Sequence, residues 1–402
     1  MLRHLFLLIW NRKRANVLLL VEMLFSFLVL FGVGAVLVNF GRNYLLAPGF
    51  RHEQVWRLTL AAQPGQKMPR PLLDDVLRQV RALPGVQDLA LGSFNTPFRP
   101  YSMGGGFVYG NHKSSSDFTE RYDADDHYAA TLGLALREGR WFERRDDAAG
   151  HQPVVISQQV REALFGPTEP ALGKIIRGAD GPPDQTPGQF QVVGVVDNVR
   201  KSGDFSDYQP SVWVRLAAHD TTSWEQATVL VKVAAGQGAA LQQRIVHTVA
   251  GPAARQWSTE VRALEDDRRD RLRVALAPLT GLGLVGSFLI MNVALGLFGV
   301  LWLNISQRRA ELGVRRAMGA SGAAISWQVL GEILTLTTFG LLLGLLLAAQ
   351  FPLLGVFNVK ASVYLTAMLL ATGALYLLAA ACAFYPSRLA ARIQPAVALR
   401  EE

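Results

Sequence analysis

A single cysteine, Cys382, is the only thiol in this chain of 402 residues. No intrachain disulfide can form, so any part folding outside the cytosol must rest on its own apolar core. Cys382 itself sits in an apolar run and reads as a small packing residue. Histidine is sparse and scattered. His4, His52, His112, His127, His151, His219 and His247 include no pair at the i, i+4 spacing that zinc hydrolases use. No G-x-x-x-x-G-K-[ST] loop occurs, so no nucleotide-hydrolysing site is expected here, and no G-x-S-x-G elbow occurs either. Charged residues make up only 18% of the chain against 50% hydrophobic.

The apolar residues are gathered in four runs, at about 17–40, 274–303, 327–351 and 361–384. Each is long enough for a helix to cross a bilayer, which takes about 20 residues. The first follows Arg12, Lys13 and Arg14 as a signal peptide would. Its apolar stretch exceeds the roughly 7–15 residues of a signal core, and no small-x-small cleavage site follows, so it reads as a retained anchor. Basic residues set the orientation. Segments 1–16, 304–326 and 385–402 together hold 11 Lys/Arg and 3 acidic residues, whereas 41–273 holds 28 and 27. Both termini are therefore expected in the cytoplasm and 41–273 outside. The net charge of +8 is a topology signal and not a nucleic-acid footprint.

Two stretches of the outer segment share one pattern. VWRLTLAA from Val55 alternates as a strand. A helix with Leu72, Val76, Val80 and Leu83 on one face follows and closes at Pro84-Gly85, and VQDLALGSF is a second strand. From Ala227 the cycle recurs as ATVLVKVAA, a helix around GAALQQRIVHTVAG, and a strand around QWSTEVRAL. These β-α-β units predict one α/β lobe, about 50–95 and 222–262, with a second lobe inserted at about 96–221. In the insert, Gly104-Gly105-Gly106 reads as a flexible loop and GPPDQTPG at 181–188 as a hairpin tip. Asp123, Asp125, Asp126 and His127 read as a solvated loop, with a metal site as the alternative. The charge-rich 262–273 reads as a stalk continuing the second membrane helix, its charges solvated or else paired across a dimer.

After the second apolar run comes a short amphipathic segment. Leu312, Ala317 and Met318 suit the bilayer or bundle, and Arg308, Arg309, Glu311, Arg315 and Arg316 the cytosol. Gly319-Ala320-Ser321 turns the chain back. Two membrane carboxylates stand out. Glu22 and Glu332 are expected in interfacial pairs with arginines of this segment, or snorkelling to the cytosolic edge. Gly32 and Gly34, and Gly281, Gly283, Gly286 and Ser287, suit close helix contact, either between copies or within one chain.

The run Arg309-Ala310-Glu311-Leu312-Gly313-Val314-Arg315-Arg316-Ala317-Met318-Gly319-Ala320-Ser321 closely resembles the signature of MacB/FtsX/LolC-type permeases. Tyr385-Pro386-Ser387-Arg388 and the residues through Arg400 resemble that family's terminal tail. Glu138-Gly139-Arg140-Trp141-Phe142, Pro153-Val154-Val155-Ile156-Ser157, Leu172-Gly173-Lys174 and Val192-Val193-Gly194-Val195-Val196-Asp197 resemble the MacB-type periplasmic core. The resemblance implies an α-helical membrane protein with four transmembrane helices. It also implies a large α+β extracytoplasmic domain, built from a porter-like βαβ lobe and an inserted second lobe.

By the same resemblance the chain is the permease subunit of a mechanotransmission-type ABC transporter in the inner membrane. Motion would pass from the ATPase to the periplasmic domain, for export or handling of a peptide, toxin, lipid-like or drug-like substrate. The alternative is an FtsX-like transmitter that activates a cell-wall hydrolase. Residues Arg308, Arg309, Glu311, Arg315, Arg316, Met318, Gly319, Ala320 and Ser321 would dock the ATPase. No cofactor is expected in this chain; ATP and Mg would sit on a separate ABC ATPase. Other implied partners are a second permease copy or paralogue, a periplasmic adaptor with an outer-membrane channel, and membrane lipids. Nucleic acid is not expected.

Overall fold

The computed structural model describes residues 13–115, 118–179, 188–216, 225–253, 257–307, 309–356 and 359–391. The expected hairpin tip at 181–188 therefore lies almost wholly outside the described residues, as does most of the C-terminal tail. The chain divides into two compact units, Asn43–Ala275 and the remainder.

The unit outside 43–275 is helical. Helix α1 (Lys13–Tyr44) is followed, after the outer domain, by α6 (Leu264–Gln307), α7 (Arg309–Ala317), α8 (Gly322–Ala348), α9 (Gln350–Leu354) and α10 (Ala361–Ala391). Four spans, Leu20–Tyr44, Leu264–Gln307, Gly322–Leu354 and Ala361–Arg388, are long and apolar enough to cross a membrane. Helix α6 has 44 residues, roughly twice what one crossing takes. It begins directly at the end of the last strand of the outer domain. The bundle core joins Phe27 and Phe31 of α1, Leu297 and Leu301 of α6, Ile333 and Leu341 of α8, and Met368 and Leu375 of α10.

Glycine decides the closest approach in this bundle. A Cβ on Gly344 would lie 2.4 Å from Cδ1 of Phe27, and one on Gly340 2.7 Å from Cβ of Met23. Gly340-Leu341-Leu342-Leu343-Gly344 is a small-xxx-small ridge that seats α1 on α8. The glycines singled out from sequence do less. Gly32, Gly281 and Gly283 face open space, Gly286 only touches Val33, and Gly34 packs on Ala367 of α10.

The outer unit is built on one continuous chain of paired strands. Strands β1 (Val55–Ala62), β2 (Val86–Gly92), β12 (Gln226–Val233) and β13 (Trp257–Ala263) run in the order β13-β1-β12-β2, every neighbour antiparallel. The two sequence cycles thus interleave: β12 lies between β1 and β2, and β1 between β12 and β13. Helices α2 (Arg70–Arg81) and α5 (Ala239–Ala253) cover a core that includes Leu58, Leu73, Val76, Val80, Leu89, Val229, Leu241 and Ile245. Leu73, and not Leu72, takes the innermost position at the start of α2. Together with Val76 and Val80 it keeps the i, i+3, i+7 stripe.

The inserted strands extend the sheet. Strands β3 (Gly104–Gly105), β4 (Phe107–Tyr109), β5 (His112–Lys113), β6 (Thr119–Ala124), β7 (Leu136–Gly139), β8 (Gln152–Ser157), β9 (Ile175–Gly178), β10 (Gln189–Val196) and β11 (Ser211–Arg215) all join it. With them come helices α3 (Tyr128–Leu132) and α4 (Gln158–Phe165). The two parts meet at a single register pair, Gly92 with Ala124.

Within the glycine run at 104–106, Gly104 and Gly105 form a strand and not the flexible loop expected from sequence. Gly104 pairs with Glu120, and a Cβ on it would lie 1.9 Å from the Thr119 carbonyl oxygen. Only a residue without a side chain lets the two backbones come this close. The same logic explains Gly139-Arg140. Gly139 has φ +69°, and a Cβ there would lie 2.3 Å from the Val193 oxygen, while one on Gly194 would lie 2.3 Å from the Arg140 oxygen. Two of the family-like motifs are therefore facing halves of one tight strand contact.

Candidate functional site

Helix α7 is the elbow between α6 and α8, and local chemistry shapes it. Met318 N–H donates to the Val314 carbonyl at 3.0 Å and Ala320 N–H to that of Arg315 at 3.1 Å. Gly319 takes φ +96°, so the helix ends in a left-handed glycine turn. Ser321 then caps α8, its hydroxyl accepting from the Ala324 N–H at 3.2 Å. The inner face is held by Leu312, which is buried with Ile305 and Ile325 and meets Val329.

One arginine of the elbow is committed within the chain. Arg315 donates to Gln328 Oε1 of α8 at 2.8 Å and to Glu311 Oε1 at 2.7 Å. Gln328 donates in turn to Glu332 Oε1 at 3.2 Å. Glu332 thus reaches Arg315 of α7 through Gln328. Met318 is 77% exposed and Val314 is exposed with it, an i, i+4 apolar pair on the outer face of α7. Ala317 and Gly319 are exposed as well, and Ala320 is half-buried. Arg308 lies outside the described residues, and so do the side chains of Arg309 and Arg316.

Glu22 sits elsewhere than at an arginine among the described side chains. Its carboxyl group lies over Gly296 of α6, where a Cβ would fall 2.2–2.8 Å from its three carboxyl atoms. The absence of a side chain at 296 is what admits it.

The stalk charges are divided by face. Arg269 and Arg273 are exposed and reach Asp266 and Asp270 one turn away. The inward residues bind the outer domain. Arg57 of β1 donates to both carboxylate oxygens of Asp267, at 2.8 and 3.0 Å, and the two side chains are 1% and 6% exposed. Arg268 reaches Asp204 at 2.9 Å and His52 at 2.6 Å. Burial, with the Arg268 charge adding to it, holds His52 below the ordinary imidazole range. Sequence reading missed these contacts because Arg57 and Asp267 are 210 residues apart.

The acidic cluster is likewise spent on the fold. Arg215 pairs with Asp126 at 2.7 Å and with Asp147 at 2.5 Å, and Arg121 with Asp123 at 3.0 Å. Asp125 accepts from the Leu91 N–H at 2.8 Å and the His127 N–H at 3.1 Å, beside the junction of the two sheet parts. Among the described residues no group of three His, Cys, Asp or Glu side chains converges as metal ligands would.

Burial pushes the Asp125 carboxyl up to about 6, against an ordinary 3.8. A raised folded value means that the proton is held more tightly in the folded state. The stabilisation is full below the unfolded value and is lost as pH rises from about 4 through 6. We expect the stability difference between wild type and Asp125→Asn to change by roughly 2–3 kcal/mol across that window. Urea melts of both proteins at pH 4 to 8 check this. A flat difference would place Asp125 in water.

Comparison with known proteins agrees with this architecture. Residues 24–248 match the model of the MacB-like periplasmic core domain, and residues 283–395 that of the FtsX-like permease C-terminal. The ABC transporter permease YvrN of Bacillus subtilis is 26% identical over 358 residues, covering 83% of this chain and 80% of YvrN. The pyoverdine export ATP-binding/permease protein PvdT of Pseudomonas syringae pv. tomato is 25% identical over 304 residues. That match covers 69% of this chain but only 42% of PvdT, so the chain spans less than half of that relative. The periplasmic region of MacB from Actinobacillus actinomycetemcomitans aligns over 55% of this chain and 92% of its own, with 14% identity and a TM-score of 0.38. A four-helix membrane unit, an extracytoplasmic α/β domain and a family match over more than half of its length place this chain among the ABC transporter permeases of MacB/FtsX type.

Proposed function

We propose that this permease passes motion from a separate ABC ATPase to its outer domain, for export or extracytoplasmic handling of a substrate. The observation that carries the reading is the construction of α7. Leu312 and Arg315 fasten this short helix to α6 and α8, while Val314 and Met318 stay uncovered on its far face. A helix that is fixed on one face and offers an apolar pair on the other suits a rigid contact with a partner. Charged residues beside it would set register and encounter rate. Within the elbow, Arg315 would keep the helix on the bundle and Met318 would fill a pocket on the ATPase. ATP and Mg belong to that partner. Both termini would be cytoplasmic and the outer domain periplasmic, in keeping with the basic residues of the short segments. A second copy or a paralogue would complete the pair of coupling helices that two ATPase subunits require. A peptide, toxin, lipid-like or drug-like substrate fits a domain that lies outside the membrane, and PvdT, by its name, serves pyoverdine export.

The test is affinity purification of the tagged protein from its own host in mild detergent. An ABC ATPase is expected with the wild type. Val314→Glu combined with Met318→Glu should lower its recovery at least about tenfold, the scale of losing a central apolar contact. Charge reversal of Arg315 and Arg316 should lower it as well. Unchanged recovery in both variants would remove α7 from the docking role. A cell-wall hydrolase recovered with the ATPase would favour the FtsX-like transmitter.

A further inference from the structure

The segment Asn198–Ser206 follows β10. Three of its side chains are buried and charged: Arg200, Lys201 and Asp204. Each holds a different part of the chain. Arg200 donates to the carbonyls of Asn43, Leu46 and Ala47 at the end of α1, and to that of Asp204. A guanidinium at a helix C-terminus satisfies orphan carbonyls and opposes the helix dipole. Lys201 donates to Glu120 of β6 at 2.8 Å and to Ser102 at 3.1 Å, anchoring the loop in the sheet. Asp204 takes Arg268 of α6 at 2.9 Å.

Neighbouring backbone completes the arrangement. Asn43 donates to the Phe205 carbonyl at 3.0 Å, and Tyr44 stacks on the Phe205 ring. Gly49 has φ +82°, and a Cβ on it would lie 2.1 Å from the Asn198 oxygen, so the chain leaving α1 is pressed onto the loop. Phe98 joins the loop to α6. Its N–H donates to the Lys201 carbonyl at 2.8 Å, and its own carbonyl accepts from Arg271 at 3.0 Å. Phe98 has φ +65°, a left-handed conformation that a bulky side chain rarely adopts. Such strain persists only where the surroundings over-determine it.

We infer that Asn198–Ser206, together with Phe98, is the joint that fastens both the segment Asn43–Gly49 and the start of α6 to the sheet of the outer domain. Arg200, Lys201, Asp204 and Arg271 are its positioning residues.

The test uses the full chain with Cys382→Ser in nanodiscs, spin-labelled at Arg78→Cys on α2 and Arg273→Cys on α6. Both positions are solvent-exposed and neither belongs to the joint. Excess unlabelled protein isolates the intrachain distance. Wild type should give one narrow distribution, unchanged when the co-purified ATPase is trapped with ATP and vanadate. Asp204→Asn with Arg271→Gln should at least double its width, while Asp204→Glu, which keeps the charge, should leave it narrow. Unaltered far-ultraviolet circular dichroism and tryptophan emission would show that the broadened variant is folded. A narrow distribution in the double variant, or a wild-type distribution that is broad or widens on trapping, overturns the joint. Failure to recover any ATPase defeats the transmission reading separately, because the width without nucleotide needs the permease alone.

Discussion

Asp267→Ala should destabilise the outer domain by about 3–5 kcal/mol, the scale for leaving a buried charge without its partner. The reason lies in Arg57. Its guanidinium is 1% exposed and forks onto both oxygens of Asp267. Among the described residues it also donates to the Thr59 hydroxyl, at 3.2 Å. Removing the carboxylate strands a cation between β1 and α6, where water does not reach it. The pair itself is a weaker asset, because burying two charges costs nearly as much as their attraction returns. Arg57→Met combined with Asp267→Leu should therefore lie within about 1 kcal/mol of wild type. Amide hydrogen exchange in β1 and β13 of the full chain separates the cases. The single variant should accelerate protected amides by a factor of roughly 10² to 10³ or more, and the double variant should not. A single variant costing under about 1 kcal/mol would mean that the site hydrates readily.

Gly344→Leu is the second large effect. A Cβ alone would lie 2.4 Å from Cδ1 of Phe27 and 3.0 Å from its Cγ, and Phe27 is fully buried in the bundle. Overpacking of a close contact typically costs about 1–3 kcal/mol, and a branched side chain at this separation should reach or exceed the upper end. Helix α8 would have to move away from α1, taking Gly340 off Met23 with it. Thermal unfolding in detergent, followed by size-exclusion chromatography, should show a clearly lowered midpoint. Gly373→Leu is the matched control, because nothing lies within 4 Å of a Cβ at that position. Phe27→Ala should recover much of the loss in the Gly344→Leu background, since it vacates the volume in conflict. If both leucine variants melt alike, the contact between α1 and α8 is loose enough to admit a side chain.

The parts of this protein that are legible in sequence are those written locally. A bilayer crossing needs an uninterrupted apolar run, and four such runs stand out by length alone. Alternation marks β1, β2, β12 and β13, and the glycine turn at Gly319 is visible as the break after the arginine-rich helix. Long-range pairing leaves no such mark. Asp267 sits in a run of charges that reads as a solvated stalk or as a dimer contact, and nothing near it says that Arg57 lies opposite. The joint loop is hidden for the same reason, because its partners at 43–47, 98, 120 and 268 come from four separate segments. Gly340 and Gly344 did carry a signal in their four-residue spacing. The glycines of the first two spans drew attention instead, although several of those face open space. The run Gly104-Gly105-Gly106 misleads in the other direction. Glycine suggests freedom, but here it allows a neighbouring backbone to sit where a side chain would be.

The pairing of β1 with β13 has a practical and historical consequence. Trp56 and Ala263 are direct partners across that ladder, so the outer domain begins and ends one strand spacing apart. A polypeptide whose two ends meet is a cassette: it can pass between helical hosts as one piece, provided that the start of α6 travels with it, because Asp267 is the partner of buried Arg57. Exchange of such cassettes between helical hosts would also let lineages trade extracytoplasmic specificity while keeping one inherited engine.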